Sequence, residues 1–114
     1  MSIRIQRINS EMQKAISQII QNKVNDSRIE GMVSVLGVSV AKDLKTAKVT
    51  VSISTNPDGA MEALRSSAGF IRKELSQIFR DLRTTPELTF ILDTSLDYSM
   101  RINKILDEMN IDKE

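Results

Sequence analysis

Between Met61 and Leu82 apolar residues recur in alternating steps of three and four, at Met61, Leu64, Ala68, Ile71, Leu75, Ile78 and Leu82. That spacing lines them along one side of an α-helix. Gly69 interrupts the run; a glycine weakens a helix by roughly 1 kcal/mol relative to alanine and removes the side chain that keeps other backbones away. The stretch therefore predicts a helix kinked at Ser67-Ala68-Gly69, with Gly69 letting the two halves bend and Ser67 capping or back-bonding locally. The opposite side carries Arg65, Arg72, Lys73, Arg80 and Arg83. One stripe belongs to a core, and the other faces solvent or a polyanion.

The rest of the chain supplies partners for the apolar stripe. Ile3 to Asn22 predicts a first amphipathic helix, with Ile5, Ile8, Met12, Ala15, Ile16, Ile19 and Ile20 on one side and Arg4, Arg7, Glu11 and Lys14 on the other. Asp26-Ser27-Arg28 and Gly31 end that pattern. From Met32 to Ala41, Val33 and Val35 share one parity while Leu36, Val38 and Val40 share the other, a slip beside Gly37 that predicts a β-bulge. After a polar turn, Ala47, Val49, Val51 and Ile53 alternate strictly with Lys48, Thr50, Ser52 and Ser54, as in a half-buried strand returning from a hairpin. Asn56, Pro57 and Asp58 make a helix start, and Thr84-Thr85-Pro86 makes a stop. Leu88, Phe90 and Leu92 predict a short third strand. A strand reached through a long helical crossover can lie parallel to an earlier one, so the sheet should be mixed. From Ser95 a last helix is expected, with Tyr98, Ile102, Ile105 and Met109 as its stripe.

With 114 residues the chain is read as a single domain over 1–110, followed by an acidic tail at 111–114 that should fray. Cysteine and histidine are both absent. Disulfides, thiolate metal sites and the commonest general base go with them, leaving no catalytic residue, metal site or cofactor to nominate. Asp43, Asp93 and Asp97 fall at turns and caps, where carboxylates need no metal. No run approaches the ~20 apolar residues of a membrane span, and the first residues lack a signal-peptide core, so a cytoplasmic protein is expected. The formal net charge is only +1, yet the charge is sorted along the chain. Residues 1–23 and 65–83 are basic, and residues 93–114 are acidic.

The order helix, strand, strand, kinked helix pair, strand, helix is an α+β fold with a three-stranded mixed sheet covered by helices on one face. It is similar to the type II KH topology of RNA-binding domains, but the GXXG loop that clamps a nucleic-acid backbone is missing. Ser67-Ala68-Gly69 stands in its place. Together with Asp26-Ser27-Arg28-Ile29, Val38 to Leu44, Gly69-Phe70-Ile71-Arg72, Leu82-Arg83-Thr84-Thr85-Pro86-Glu87-Leu88-Thr89-Phe90 and Asp93-Thr94-Ser95, this kink resembles the ribosome-binding factor A family. That family's KH-like domain carries an Ala-x-Gly kink. Ser67 departs from the usual alanine of the motif, and Ser27 departs from a frequent proline.

The resemblance implies a non-catalytic assembly factor that binds the small ribosomal subunit and its ribosomal RNA during late maturation, leaves before translation and supports growth in the cold. With the resemblance, Arg65, Arg72, Lys73, Arg80 and Arg83 on the helix become candidates for phosphate contact, the alternative being surface pairing of Arg72 and Arg80 with Glu74, Asp81 or Glu87. Arg4, Arg7 and Lys14 form a second candidate patch and Lys42, Lys45 and Lys48 a third, each of which can equally be a solvated surface. The aromatic supply of Phe70, Phe79, Phe90 and Tyr98 is too thin for a base-stacking platform. The expected partners are the small subunit and its RNA, not DNA or membrane, with a monomer when free. The alternative is a protein-binding module whose basic stripe meets an acidic partner.

Overall fold

The first helix, α1 (Ile3–Asn22), buries Met12, Ala15, Ile16, Ile19 and Ile20 along the side that the periodicity predicts. A computed structural model describes residues 3–80 and 85–94, with residues 3 and 4 as backbone only. The last helix expected from Ser95 and the residues Leu82, Arg83 and 111–114 lie outside the described residues.

Strands β1 (Val33–Val40) and β2 (Thr46–Ile53) pair antiparallel, and β3 (Glu87–Leu92) lies parallel to β2, so β2 is central. The connection from β2 to β3 runs through α2 (Pro57–Ser66) and α3 (Ala68–Ile78). This is the mixed sheet that a helical crossover requires. Val49, Val51, Leu88 and Phe90 turn to one face and join Met12, Ile16, Leu64, Ile71 and Leu75 in a continuous apolar core. The opposite face aligns Ser39, Lys48 and Thr89 across the three strands, all exposed. The helices therefore cover one face of the sheet.

The slip beside Gly37 is a bulge. Val35 stands opposite Val51 and Gly37 opposite Thr50, so Leu36 is the extra residue. Its grouping with Val38 and Val40 is corrected by this geometry, because the bulge turns Leu36 out to 49% exposure while the other two stay buried. Asn56 starts α2 in the left-handed region at φ 48°, and its side-chain oxygen accepts the Gly59 N–H at 3.4 Å. Asparagine tolerates that conformation better than most side chains do.

The crossover helix also ends earlier than expected. The Phe79 N–H still donates to the Leu75 carbonyl at 2.8 Å, but the Phe79 backbone (φ −104°, ψ 63°) has left the helix. Phe79 turns back to pack on the core, and Ile78, counted in the apolar stripe, is 57% exposed.

The link from α1 to β1 is held by Asp26 and Arg28. The Asp26 carboxylate accepts the Arg28 backbone N–H at 2.9 Å, its Nε–H at 3.0 Å and its Nη2–H at 2.7 Å. These bonds to the charged form hold the Asp26 carboxyl at about 2, down from its ordinary 3.8. Farther along, Gly31 has no room for a side chain, since a Cβ there would run into Ser54 Oγ and fall 2.8 Å from Thr55 Cβ.

Two outcomes follow from this link. Because the folded-state value of Asp26 is depressed, its contribution is present above the unfolded value and is lost as pH falls through the folded one. Asp26→Asn should lower stability at neutral pH, and in acid titrations followed by circular dichroism its deficit should vanish between about pH 4 and pH 2. A deficit independent of pH would contradict the assignment. In urea unfolding, Gly31→Ala should cost about 1–3 kcal/mol through overpacking.

Candidate nucleic-acid interface

The break in the crossover helix falls at Ser67 and spans one residue. Ser67 lies at φ −92°, ψ 0°, near enough to helical values that the apolar stripe keeps its phase across the break. Its N–H donates to the carbonyls of Ala63 (2.9 Å) and Leu64 (3.2 Å), and its own carbonyl accepts the Ile71 N–H (2.9 Å). The Ser67 side chain makes no capping bond, which corrects the expectation that it caps α3. The interrupted residue is Ser67 and not Gly69. Gly69 sits inside α3, and a Cβ built there would meet nothing within 4 Å.

Gly69 does line a cleft. Arg65, Gly69 and Arg72 form the helix-side wall, residues 87–90 of β3 form the other, and about 470 Å³ lies between them. At about 100° per residue, Arg72 falls to the β3 side of the buried Ile71–Leu75 line, Glu74 to the α1 side and Lys73 outward. The bonds agree with that wheel. Arg72 Nε donates to the Thr85 carbonyl at 3.0 Å, and Glu74 accepts Lys23 Nζ from the end of α1 at 3.0 Å.

Glu74 is thereby turned away from the arginines. Arg80 Nε donates to the Gln77 carbonyl at 3.2 Å, and Arg65 and Lys73 are exposed. Among the described residues none of Arg65, Arg72, Lys73 and Arg80 has a carboxylate partner, while Lys23–Glu74 and Arg28–Asp26 form ion pairs. The helix pair thus presents positive charge that no carboxylate among the described residues neutralises.

Two links place other cations near this surface. The Glu87 N–H donates to the Lys45 carbonyl at 2.8 Å, which sets the β1–β2 turn beside the start of β3 and the Thr85 segment that Arg72 holds. Asn9 Oδ1 accepts the Val40 N–H at 2.9 Å, which sets the first half of α1 at that same end of the sheet. Arg7, Lys42, Lys45 and Arg72, all exposed, therefore gather toward the hairpin end. Lys14 lies a further two turns along α1, beside Gln13 and Val35. Lys48 points from the open sheet face. The Arg4 side chain and Arg83 lie outside the described residues.

Sequence reasoning did not find the Lys23–Glu74 and Arg28–Asp26 pairs, nor Glu87 in the cleft wall. Asp26 and Arg28 carried a usable signal, since an Asx side chain commonly bonds two residues onward. Lys23 and Glu74 are 51 positions apart, and nothing in local spacing joins them. Among the described residues no three carboxylates gather as metal ligands do, and no helix is long and apolar enough to cross a membrane.

Comparison with known proteins agrees with this geometry. The sequence model of ribosome-binding factor A matches residues 4–106. A ribosome-binding factor A of Clostridium botulinum (strain Hall) is 47% identical over 106 residues, covering 90% of this chain and 88% of that protein. The crystal structure of ribosome-binding factor A from Thermus thermophilus superposes with a TM-score of 0.71 at 24% identity, covering 77% of this chain and 93% of that one. A Thermus thermophilus homology model of the same factor, fitted into the cryo-electron-microscopy map of its complex with the 30S subunit, superposes with a TM-score of 0.65 at 24% identity over 75% of this chain and 91% of that one. These structures share the KH-like α+β fold.

Proposed function

The chain belongs to the ribosome-binding factor A family, and from that membership we propose that it binds the small ribosomal subunit and contacts the 16S ribosomal RNA. The observation that carries the reading is a set of cations that have no carboxylate partner among the described residues: Lys73 and Arg80 beside α3, with Lys45 and Arg7 toward the hairpin end. Guanidinium and ammonium groups on a preformed surface neutralise phosphates without reading bases, so recognition is by shape and charge. The family relative fitted into a 30S complex supports the same partner.

In this reading the protein is a monomeric, cytoplasmic assembly factor with no catalytic step of its own. It occupies the subunit during late maturation, leaves before translation and matters most for growth in the cold. Lys14 extends the phosphate-facing surface, and Arg4 and Arg83 are kept as candidates by their charge alone. Affinity comes from displaced counterions, so it should fall steeply with salt.

Sedimentation with purified small subunits over a salt series tests this directly. Lys45→Glu with Lys73→Glu should weaken binding at least about tenfold, and the slope of log affinity against log salt should shrink by about two. Small-subunit binding that is indifferent to both substitutions and to salt would move the interface elsewhere and favour an apolar protein contact. No association with small subunits would overturn the reading.

A further inference from the structure

The two edges of the sheet are treated differently. On the β1 edge, the Val40 N–H donates to Asn9 Oδ1 at 2.9 Å, and the Val35 carbonyl accepts Gln13 Nε2 at 3.1 Å. Between them lies the Leu36 bulge. Side-chain cover and a bulge both blunt a strand edge against pairing. β3 has neither.

The direction of the free groups on β3 follows from its parallel pairing. The Glu87 N–H donates to the Lys45 carbonyl and the Asp93 N–H to the Val51 carbonyl, both at 2.8 Å. Pairing toward one neighbour alternates along a strand, so residues 87, 89, 91 and 93 face β2, and Leu88, Phe90 and Leu92 turn their N–H and C=O groups outward. Among the described residues none of these outward groups has a hydrogen-bond partner. They span roughly 13 Å of open edge. At Leu88 and Phe90 that edge is a wall of the cleft whose other wall carries Arg65 and Arg72.

We propose that this cleft takes an extended acidic peptide of a protein partner, which adds a strand to the outer edge of β3 and sets its carboxylates against Arg65 and Arg72. The inference goes beyond the subunit-binding reading and uses a different surface from Lys45 and Lys73. Main-chain pairing with Leu88, Phe90 and Leu92 supplies the affinity, and the two guanidinium groups select acidic side chains. Arg72 is held for this role, because its Nε is fixed on the Thr85 carbonyl and its terminal nitrogens stay available. A single-stranded RNA fits less well. Among the described residues Phe90 is the one aromatic lining the cleft, it is only 4% exposed, and the one-residue break at Ser67 provides no glycine loop to clamp a backbone.

Amide hydrogen exchange of the full chain, read residue by residue by NMR, tests the proposal. The probe is an end-blocked eight-residue peptide alternating valine and glutamate, with a valine–lysine peptide and octauridylate as comparisons. The valine–glutamate peptide should slow exchange at Leu88, Phe90 and Leu92 at least about tenfold, and neither comparison should do so. Arg65→Ser with Arg72→Ser should raise its dissociation constant at least about tenfold while the spectrum stays folded; Arg65→Ser alone gives the same reading if the pair perturbs the fold. Unchanged exchange at these three amides with millimolar peptide would overturn the proposal. So would protection by octauridylate in place of the peptide, or protection that rises with protein concentration alone and so reports self-pairing.

Discussion

The crossover between β2 and β3 depends on one packing constraint: α2 must stay against β3 while α3 also reaches back to α1. A straight helix could follow only one of those directions. Fully burying Leu64 on one side of the break and Ile71 and Leu75 on the other contributes about 1.5–3 kcal/mol per side chain. The exposed Lys23–Glu74 pair, which ties α3 to the end of α1, contributes about 1 kcal/mol at most. Apolar burial therefore sets the direction of each half, and the ion pair only trims it. Ser67 absorbs the change of course with a nearly helical backbone, so both halves still present their apolar stripe to the same sheet face.

Glu74 is engaged by Lys23, and Lys73 stands outward on the same helix. Across the break, Arg65 of α2 and Arg72 of α3 line one wall of the cleft against β3. An exposed basic helix side and a basic cleft thus lie on the same helix pair, and the two proposals assign a folded RNA to the first and an extended chain to the second. Neither requires a nucleophile, a general base or a metal.

Much of the fold was legible in local patterns. Strict alternation from Ala47 to Ser54, the slip beside Gly37, the Asn56-Pro57-Asp58 helix start and the long crossover each determined an element or a pairing direction, because each depends on neighbours close in sequence. What escaped depended on distant contacts. The apolar period ran unbroken through Ser67 because the break preserves helical phase, so the hinge was sought at the residue with the lowest helix propensity, Gly69. Ile78 fitted the stripe yet faces solvent, because Phe79 leaves the helix to reach the core. The basic residues were visible as a set, but the meeting of Arg65 and Arg72 across a break, and of Lys45 with the start of β3, depends on tertiary geometry.

If packing rather than glycine sets the break, then Gly69→Ala should leave it in place. The most direct measurement is the angle between α2 and α3 in Gly69→Ala, from residual dipolar couplings, alongside its unfolding free energy. The angle should match that of the parent, with stability unchanged or raised by up to about 1 kcal/mol, since the added methyl meets open space. A straightened helix pair, or a clear loss of stability, would show that the glycine itself makes the bend.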